Sequence, residues 1–208
     1  MKKVLYITAN PQSEEKSYSK RTGKYYLEQL KANQDVEVIE LDVYKATIPM
    51  IDEDVLTAWG ALSSGSAFNE LSEAQQIKIG QMTTILNQFK EADAYVIVTP
   101  VWNFSVPPML KAYIDNIMIA GETFKYSEAG PVGLMTDKKA TIIQAAGSFM
   151  SEGAMLDFNF ANKYLEKVLQ FIGITEINHI TIEGLAIPGP SDEDRFSDVY
   201  SKVDAAFA

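Results

Sequence analysis

Lys3-Val4-Leu5-Tyr6-Ile7-Thr8-Ala9-Asn10-Pro11-Gln12-Ser13 is the stretch on which the architecture turns. Its first six residues are dense in β-formers and nearly unbroken in apolar character, the pattern of a strand buried on both faces, and Asn10-Pro11 ends it. Four later runs, 36–41, 95–99, 140–144 and 177–182, read the same way. Helical periodicity lies between them: 19–31 aligns Thr22, Tyr26 and Leu30, and 74–89 aligns Ile77, Ile85 and Phe89. Further along, 109–118 aligns Leu110, Tyr113, Ile114 and Ile117, and 160–172 aligns Phe160, Tyr164, Val168 and Ile172, with 199–207 closing the chain. Such alternation predicts an α/β domain with a doubly wound parallel sheet. The turn after the first strand then chooses between two versions. A six-stranded dinucleotide-binding sheet needs a glycine-rich turn there, and residues 8–13 hold no glycine. Five strands in the order 2-1-3-4-5, with helices on both faces, fit instead, as one domain over 1–208.

Two connections, 42–71 and 119–138, read as long loops, which in a compact domain are functional or packed against a partner. The stretch 62–72 also fits a mobile linker. Composition narrows the chemistry. The chain has no cysteine and one histidine, His179, so thiolate catalysis, disulfides and Cys- or His-based metal sites are not expected. A net charge of −10 argues against nucleic acid as a partner. The start of the chain lacks a signal-peptide core, and 94–110 is broken by Pro100, Pro107 and Pro108, so neither export nor a membrane span is expected and the cytoplasm is the expected location. Residues 1–24 run against the overall charge, with six Lys and Arg against Glu14 and Glu15. That excess reads either as a solvated helix face or as support for an anion site.

In an open parallel sheet the ligand crevice lies at the carboxyl ends of the strands where the order reverses, here the loops after strands 1 and 3 with the loop after strand 4 alongside. After strand 1, Ser17-Tyr18-Ser19 opens a helix, and Lys16, Lys20 and Arg21 stand nearby. A helix N-terminus with hydroxyls and cations suits a phosphate, though Ser17 also fits a plain N-cap. After strand 3, Val101-Trp102-Asn103-Phe104 places two aromatics around an amide in a loop that no helical stripe explains. They suit the face and edge of a planar heterocycle, or else they close the core. After strand 4, Ala145-Ala146-Gly147-Ser148 offers small residues and successive N–H donors. His179 reads as an ordinary strand position, and Lys111 with Asp115 as an i, i+4 ion pair.

Four segments together resemble the bacterial FMN-dependent NADH-azoreductases, a flavodoxin-like family whose members also reduce quinones. They are Pro100-Val101-Trp102-Asn103-Phe104; Pro108-Met109-Leu110-Lys111-Ala112-Tyr113-Ile114-Asp115; Ala120-Gly121-Glu122-Thr123-Phe124-Lys125-Tyr126 with Gly130-Pro131; and Phe171-Ile172-Gly173. The resemblance implies that Asn10, Ser17, Tyr18 and Ser19 bind the FMN phosphate. It implies that Val101, Trp102, Asn103 and Phe104 line the isoalloxazine, and that Ala145, Ala146, Gly147 and Ser148 meet its polar edge. Phe124, Tyr126 and Phe171 would line the substrate pocket of a homodimer with active sites at the interface. Relatives often carry a polar or basic residue and paired glycines where this chain has Ala146 and Ser148, a departure that bears on flavin tuning. The implied activity is hydride transfer from NADH or NADPH through FMN to quinones and azo dyes, with ping-pong kinetics and no catalytic side chain. Two rivals stand beside it: an electron carrier on the same fold without NAD(P)H oxidase activity, and a flavin-free regulator.

Overall fold

The computed structural model describes residues 1–207. Its main sheet has strands β1 (Lys2–Thr8), β2 (Val36–Asp42), β3 (Ala94–Pro100), β6 (Lys139–Ala145) and β7 (Glu176–Ile182), all parallel, in the order β2-β1-β3-β6-β7. Strands β4 (Phe124–Ser127) and β5 (Gly130–Gly133) form a separate antiparallel hairpin. The helices are α1 (Tyr18–Asn33), α2 (Glu53–Ser63), α3 (Glu73–Glu91), α4 (Pro108–Ile117), α5 (Phe160–Phe171) and α6 (Asp192–Ala205). Counting only main-sheet strands, this is the expected order 2-1-3-4-5.

The period-2 geometry of a strand sends alternate side chains to opposite faces, and here both faces are covered. Leu5 and Ile7 of β1, Tyr95 and Ile97 of β3, and Ala140 and Ile142 of β6 pack into one core with α3, α4 and α5. Val4 and Tyr6, Val96 and Val98, and Ile143 and Ala145 point the other way, into a core shared with Tyr26, Leu27 and Leu30 of α1 and Phe196, Val199 and Val203 of α6. The edge strands β2 and β7, expected to be buried like the first, are instead mostly half-buried or exposed, because each has a neighbour on one side only.

The long connection 42–71 holds a helix that its short apolar pattern concealed. Asp52 caps α2 by accepting from the Val55 N–H at 3.1 Å, and Val55 and Ala58 pack with Leu71, Ile79 and Met82 into a third, smaller cluster. Residues 62–72 are therefore no linker: they finish α2, make a 3-10 turn at Phe68–Glu70 and cap α3 through Ser72. Ile77, expected on the buried face of α3, is 54% exposed; the buried side carries Ile79, Met82, Ile85, Leu86 and Phe89. The final helix begins at Asp192 rather than 199, capped by Ser191 and Asp194 in a reciprocal box.

The connection 119–138 is not a plain loop either, since it contains the β4–β5 hairpin. Leu134 N–H donates to the Thr123 carbonyl at 2.9 Å and Met135 N–H to the Ile172 carbonyl at 2.7 Å. Gly133 lies directly on Gly173 and Ile172 at the end of α5, where a Cβ would overlap the Gly173 nitrogen. The hairpin is thus fastened backbone to backbone.

Candidate active site

The chain leaves β1 toward β2 on one side and β3 toward β6 on the other, so a crevice opens between the ends of β1 and β3. A cleft of about 190 Å³ sits there, lined among others by Asn10, Lys16, Ser17, Ser19, Trp102 and Gly147. Gln12, Tyr18, Pro100, Val101, Ala145 and Leu185 complete its walls. A second cleft of about 400 Å³ opens on the far side of Trp102, toward Asn103, Lys111 and Tyr164. Loops separated by some ninety residues of sequence are brought together because their strands are neighbours.

At the β1 end, Ser17 is the hub. Its Oγ accepts from the Asn10 side-chain amide at 2.9 Å and from the Lys20 N–H at 3.3 Å, and lies 3.1 Å from the Ser19 Oγ. Asn10, Ser17 and Ser19 are all buried, and Asn10 Oδ1 accepts in turn from the Gln12 N–H. Ser17 is therefore an N-cap, which does not compete with an anion site. The N–H groups of Tyr18 and Ser19 find no acceptor among the described residues, as expected for the first turn of a helix. Tyr18 itself turns outward: its hydroxyl donates to Asp192 at 2.7 Å, a bond that raises its pKa, and its ring stacks on Phe196. Of the three cations, only Lys16 lines the cleft. Lys20 is held by Asp42 and the Gln12 carbonyl, both at 3.1 Å, and Arg21 lies 3.8 Å over the Phe196 ring.

The loop after β3 is a tight reversed turn. Trp102 and Ser105 exchange backbone hydrogen bonds at 2.9 and 3.0 Å, while Asn103 and Phe104 take φ of +48° and +69°. Two consecutive left-handed residues define a type I′ turn, a position that disfavours phenylalanine by about 1–2 kcal/mol. The Ala161 N–H at the start of α5 holds the Phe104 carbonyl at 2.9 Å, and the Phe104 ring meets Phe158. Trp102 and Phe104 remain exposed, so they do not close the core, and the half-buried Tyr44 ring stands 6.3 Å from Trp102. Val101 alone of this stretch packs against the core.

After β6, the small residues divide. Ala146 is buried, and its N–H donates to the Ile182 carbonyl, so it has no free backbone donor. Gly147 and Ser148 N–H have no acceptor among the described residues. The expectation of donors along 145–148 therefore narrows to these two.

Phe124, Tyr126 and Phe171 form one aromatic cluster, with Phe124 edge-on to Tyr126 at 5.6 Å and to Phe171 at 4.9 Å. Phe124 is a core residue and Phe171 is half-buried, so only Tyr126, 73% exposed, is free to meet another molecule. None of the three lines either cleft within the single chain. Lys111 and Asp115 form the expected ion pair at 2.5 Å, and His179 lies opposite Ile142 on the edge strand, away from the crevice. Burial lowers its pKa, against a smaller opposing pull from Glu166. No group of three or more His, Asp and Glu is placed to hold a metal among the described residues. Nor is any helix there long and apolar enough to cross a membrane.

Sequence reading missed Leu185, Pro100 and Tyr44. Leu185 reaches the cleft because its N–H continues the sheet by donating to the Ala146 carbonyl, beyond the end of β7. It also missed Asn116, a fully buried amide that joins the Pro49 carbonyl to α4 at 2.8 Å.

The crevice therefore offers hydroxyls, unpaired backbone donors and a lysine to an anion at one end, and an exposed indole to a planar ring at the other. Comparison with known proteins identifies the family. A family model described as flavodoxin-like fold matches residues 2–206. The chain is 48% identical over 208 residues, 99% of each chain, to an FMN-dependent NADH:quinone oxidoreductase of Geobacillus kaustophilus. It is 49% identical over 185 residues, 88% of each, to FMN-dependent NADH:quinone oxidoreductase 2 of Bacillus subtilis. Among solved structures, an FMN-dependent NADH-azoreductase from Bacillus anthracis in complex with FMN superposes with a TM-score of 0.92 at 35% identity, covering 100% of this chain and 98% of that one. An azoreductase from another strain of the same species gives 0.91 at 32%, covering 100% and 99%. The chain belongs to the flavodoxin-like family of FMN-dependent NADH:quinone oxidoreductases and azoreductases.

Proposed function

We propose that this protein is an FMN-dependent oxidoreductase that uses NADH or NADPH to reduce quinones and aromatic azo compounds. One observation carries the reading: three backbone N–H groups without acceptors, at Tyr18, Ser19 and Gly147, meet Lys16 and an exposed Trp102 around one crevice, with the free Ser148 N–H next in the chain. Those residues fit the cofactor by chemistry. The α1 N-terminus, with Ser17 and Ser19 held in place by Asn10, suits the phosphate. The Val101–Phe104 turn offers an indole to the ring system, and Gly147 and Ser148 offer donors to its polar edge.

When bound, FMN supplies the two-electron redox centre between nicotinamide and acceptor. The protein's part is to orient and to exclude water. The main chain of Trp102 is fixed by the two hydrogen bonds of its turn, so the indole that a planar ring would meet is carried on ordered backbone. The acceptor-free N–H groups of Gly147 and Ser148 would supply donors to the polar edge of the ring, without a proton having to move from a side chain. Nicotinamide and acceptor would use this one crevice in turn, which is the ping-pong scheme proposed here. Two chains would pair across the exposed Tyr126 so that each completes the other's substrate pocket, and the enzyme would act in the cytoplasm.

The test is direct. Protein reconstituted with FMN is expected to be yellow, to oxidise NADH or NADPH when given a quinone or an azo dye, and to give parallel double-reciprocal lines. Failure to bind FMN overturns the reading. A flavin-loaded protein that ignores both nicotinamides but exchanges single electrons with a redox protein is the carrier instead.

A further inference from the structure

Gly147 brings its donor to the crevice, with that of Ser148 beside it, from a loop anchored by the buried Ala146 and Met150, and a carboxylate beyond the next strand gathers the segment that follows. Glu183, the first residue after β7, receives three hydrogen bonds from it. Its Oε1 accepts from the Met150 N–H at 3.1 Å, and its Oε2 from the Ser151 N–H at 3.3 Å and the Ser151 hydroxyl at 2.6 Å. The neighbouring residue completes the grip. Gly184 takes φ of +69°, and a Cβ there would come within 2.7 Å of the Phe149 ring, so the far end of that ring rests against bare backbone. Around these contacts the two chain segments remain zipped past the end of the sheet, through Ala146 to Ile182, Leu185 to Ala146 and Ala186 to Gly147.

We propose that Glu183 is a positioning residue for the redox site, acting through the backbone of 149–151 to fix the direction of the Gly147 and Ser148 N–H groups; this rests on the FMN reading above. The physical argument is one of entropy. A loop of small residues ordered before the ligand arrives spends none of the binding energy on being ordered, and donors fixed in direction can favour one oxidation state of a ring over the other. Bonds from N–H and O–H donors to an ionised carboxylate are about twice as strong as neutral ones, which suits one side chain for holding several residues. Glu183 is itself half-buried and touches neither cleft around Trp102, so its influence on the site is indirect. Its place in the sequence, between an apolar strand and a glycine, gives no hint of the role.

Three variants separate positioning from mere structure: Glu183→Ala removes the carboxylate, Glu183→Gln keeps an acceptor oxygen in the same place, and Ser151→Ala removes one donor only. Amide exchange of the 147–152 segment, measured without FMN, reads the latch alone. Glu183→Ala is expected to speed it about tenfold. With FMN, the same variant is expected to weaken binding about tenfold and to shift the midpoint potential of the bound flavin, while Glu183→Gln recovers part of both. Unchanged exchange in Glu183→Ala overturns the latch. Faster exchange with unchanged FMN affinity and potential overturns the positioning role. If the wild-type protein binds no FMN while the exchange effect appears as expected, the cofactor reading fails and takes the positioning role with it, leaving Glu183 a loop clamp.

Discussion

Replacing Ser17 with alanine removes the atom on which the β1 end of the crevice is organised, and its cost can be built from two parts. Loss of an N-cap side chain costs about 1 kcal/mol. The second part falls on Asn10, whose amide donates to Ser17 Oγ at 2.9 Å and is only 6% exposed. Buried to that degree and left without its acceptor, the amide costs about 1–3 kcal/mol more. The expected loss is therefore about 2–4 kcal/mol, or about 5–15 °C in Tm for a domain of this size. Denaturant unfolding of the apoprotein measures it without interference from ligand. The argument also fixes a sign for coupling: Asn10→Ala with Ser17→Ala should cost less than the sum of the two, by about 1 kcal/mol or more, because the stranded amide is gone. A loss under about 0.5 kcal/mol for Ser17→Ala, or strict additivity in the double variant, would refute the claim that these buried groups form one network.

Other perturbations probe other layers. Trp102→Ala, at a residue 38% exposed and outside the core, is expected to weaken FMN binding about tenfold with an unchanged unfolding midpoint; unchanged FMN affinity would remove the indole from the site. Gly133→Ala is expected to cost about 3 kcal/mol by forcing the hairpin off α5, whereas Gly80→Ala, facing open space in α3, should gain about 0.5–1 kcal/mol; equal effects would deny the close approach. Burial pushes Tyr164 up to about 12 and raises Tyr6, Tyr95 and Tyr113 as well. The folded state thus keeps protons that unfolded tyrosines release near pH about 10, so stability is full below that pH and falls as the pH rises toward the folded values. Urea midpoints measured across that range should decline as the phenolate absorbance develops late; ordinary phenolate titration with constant stability would contradict the burial argument.

Much of this was legible in the sequence because it depends on local pattern. The central strands have core on both faces and announce themselves as apolar runs, and the missing glycine after β1 separated two sheets that otherwise share a pattern. Helix α2 escaped because only Val55 and Ala58 are fully buried, two residues being too few to set a period, although Asp52 followed by Glu53 and Asp54 was a usable N-terminal signal. The hairpin escaped because Pro131 sits in β5, where proline argues against a strand unless it lies at an edge. At the site, residue types were readable but states were not. Nothing in Asn103-Phe104 announces a left-handed pair, since phenylalanine disfavours that region and tertiary bonds from α5 hold it there. Likewise the difference between Ala146 and Gly147 as donors depends on whether the Ile182 carbonyl is within reach, a question of sheet register.

The seam between Gly133 and Gly173 has a bearing on access. A flap that opens needs a hinge, and a hinge needs side chains or water between the moving parts. Here main chain rests on main chain, with Met135 tied to Ile172 just beyond. The hairpin therefore rides with α5 as one body. Under the proposed pairing of two chains across Tyr126, an acceptor reaching that face would meet walls fixed main chain to main chain and one exposed ring.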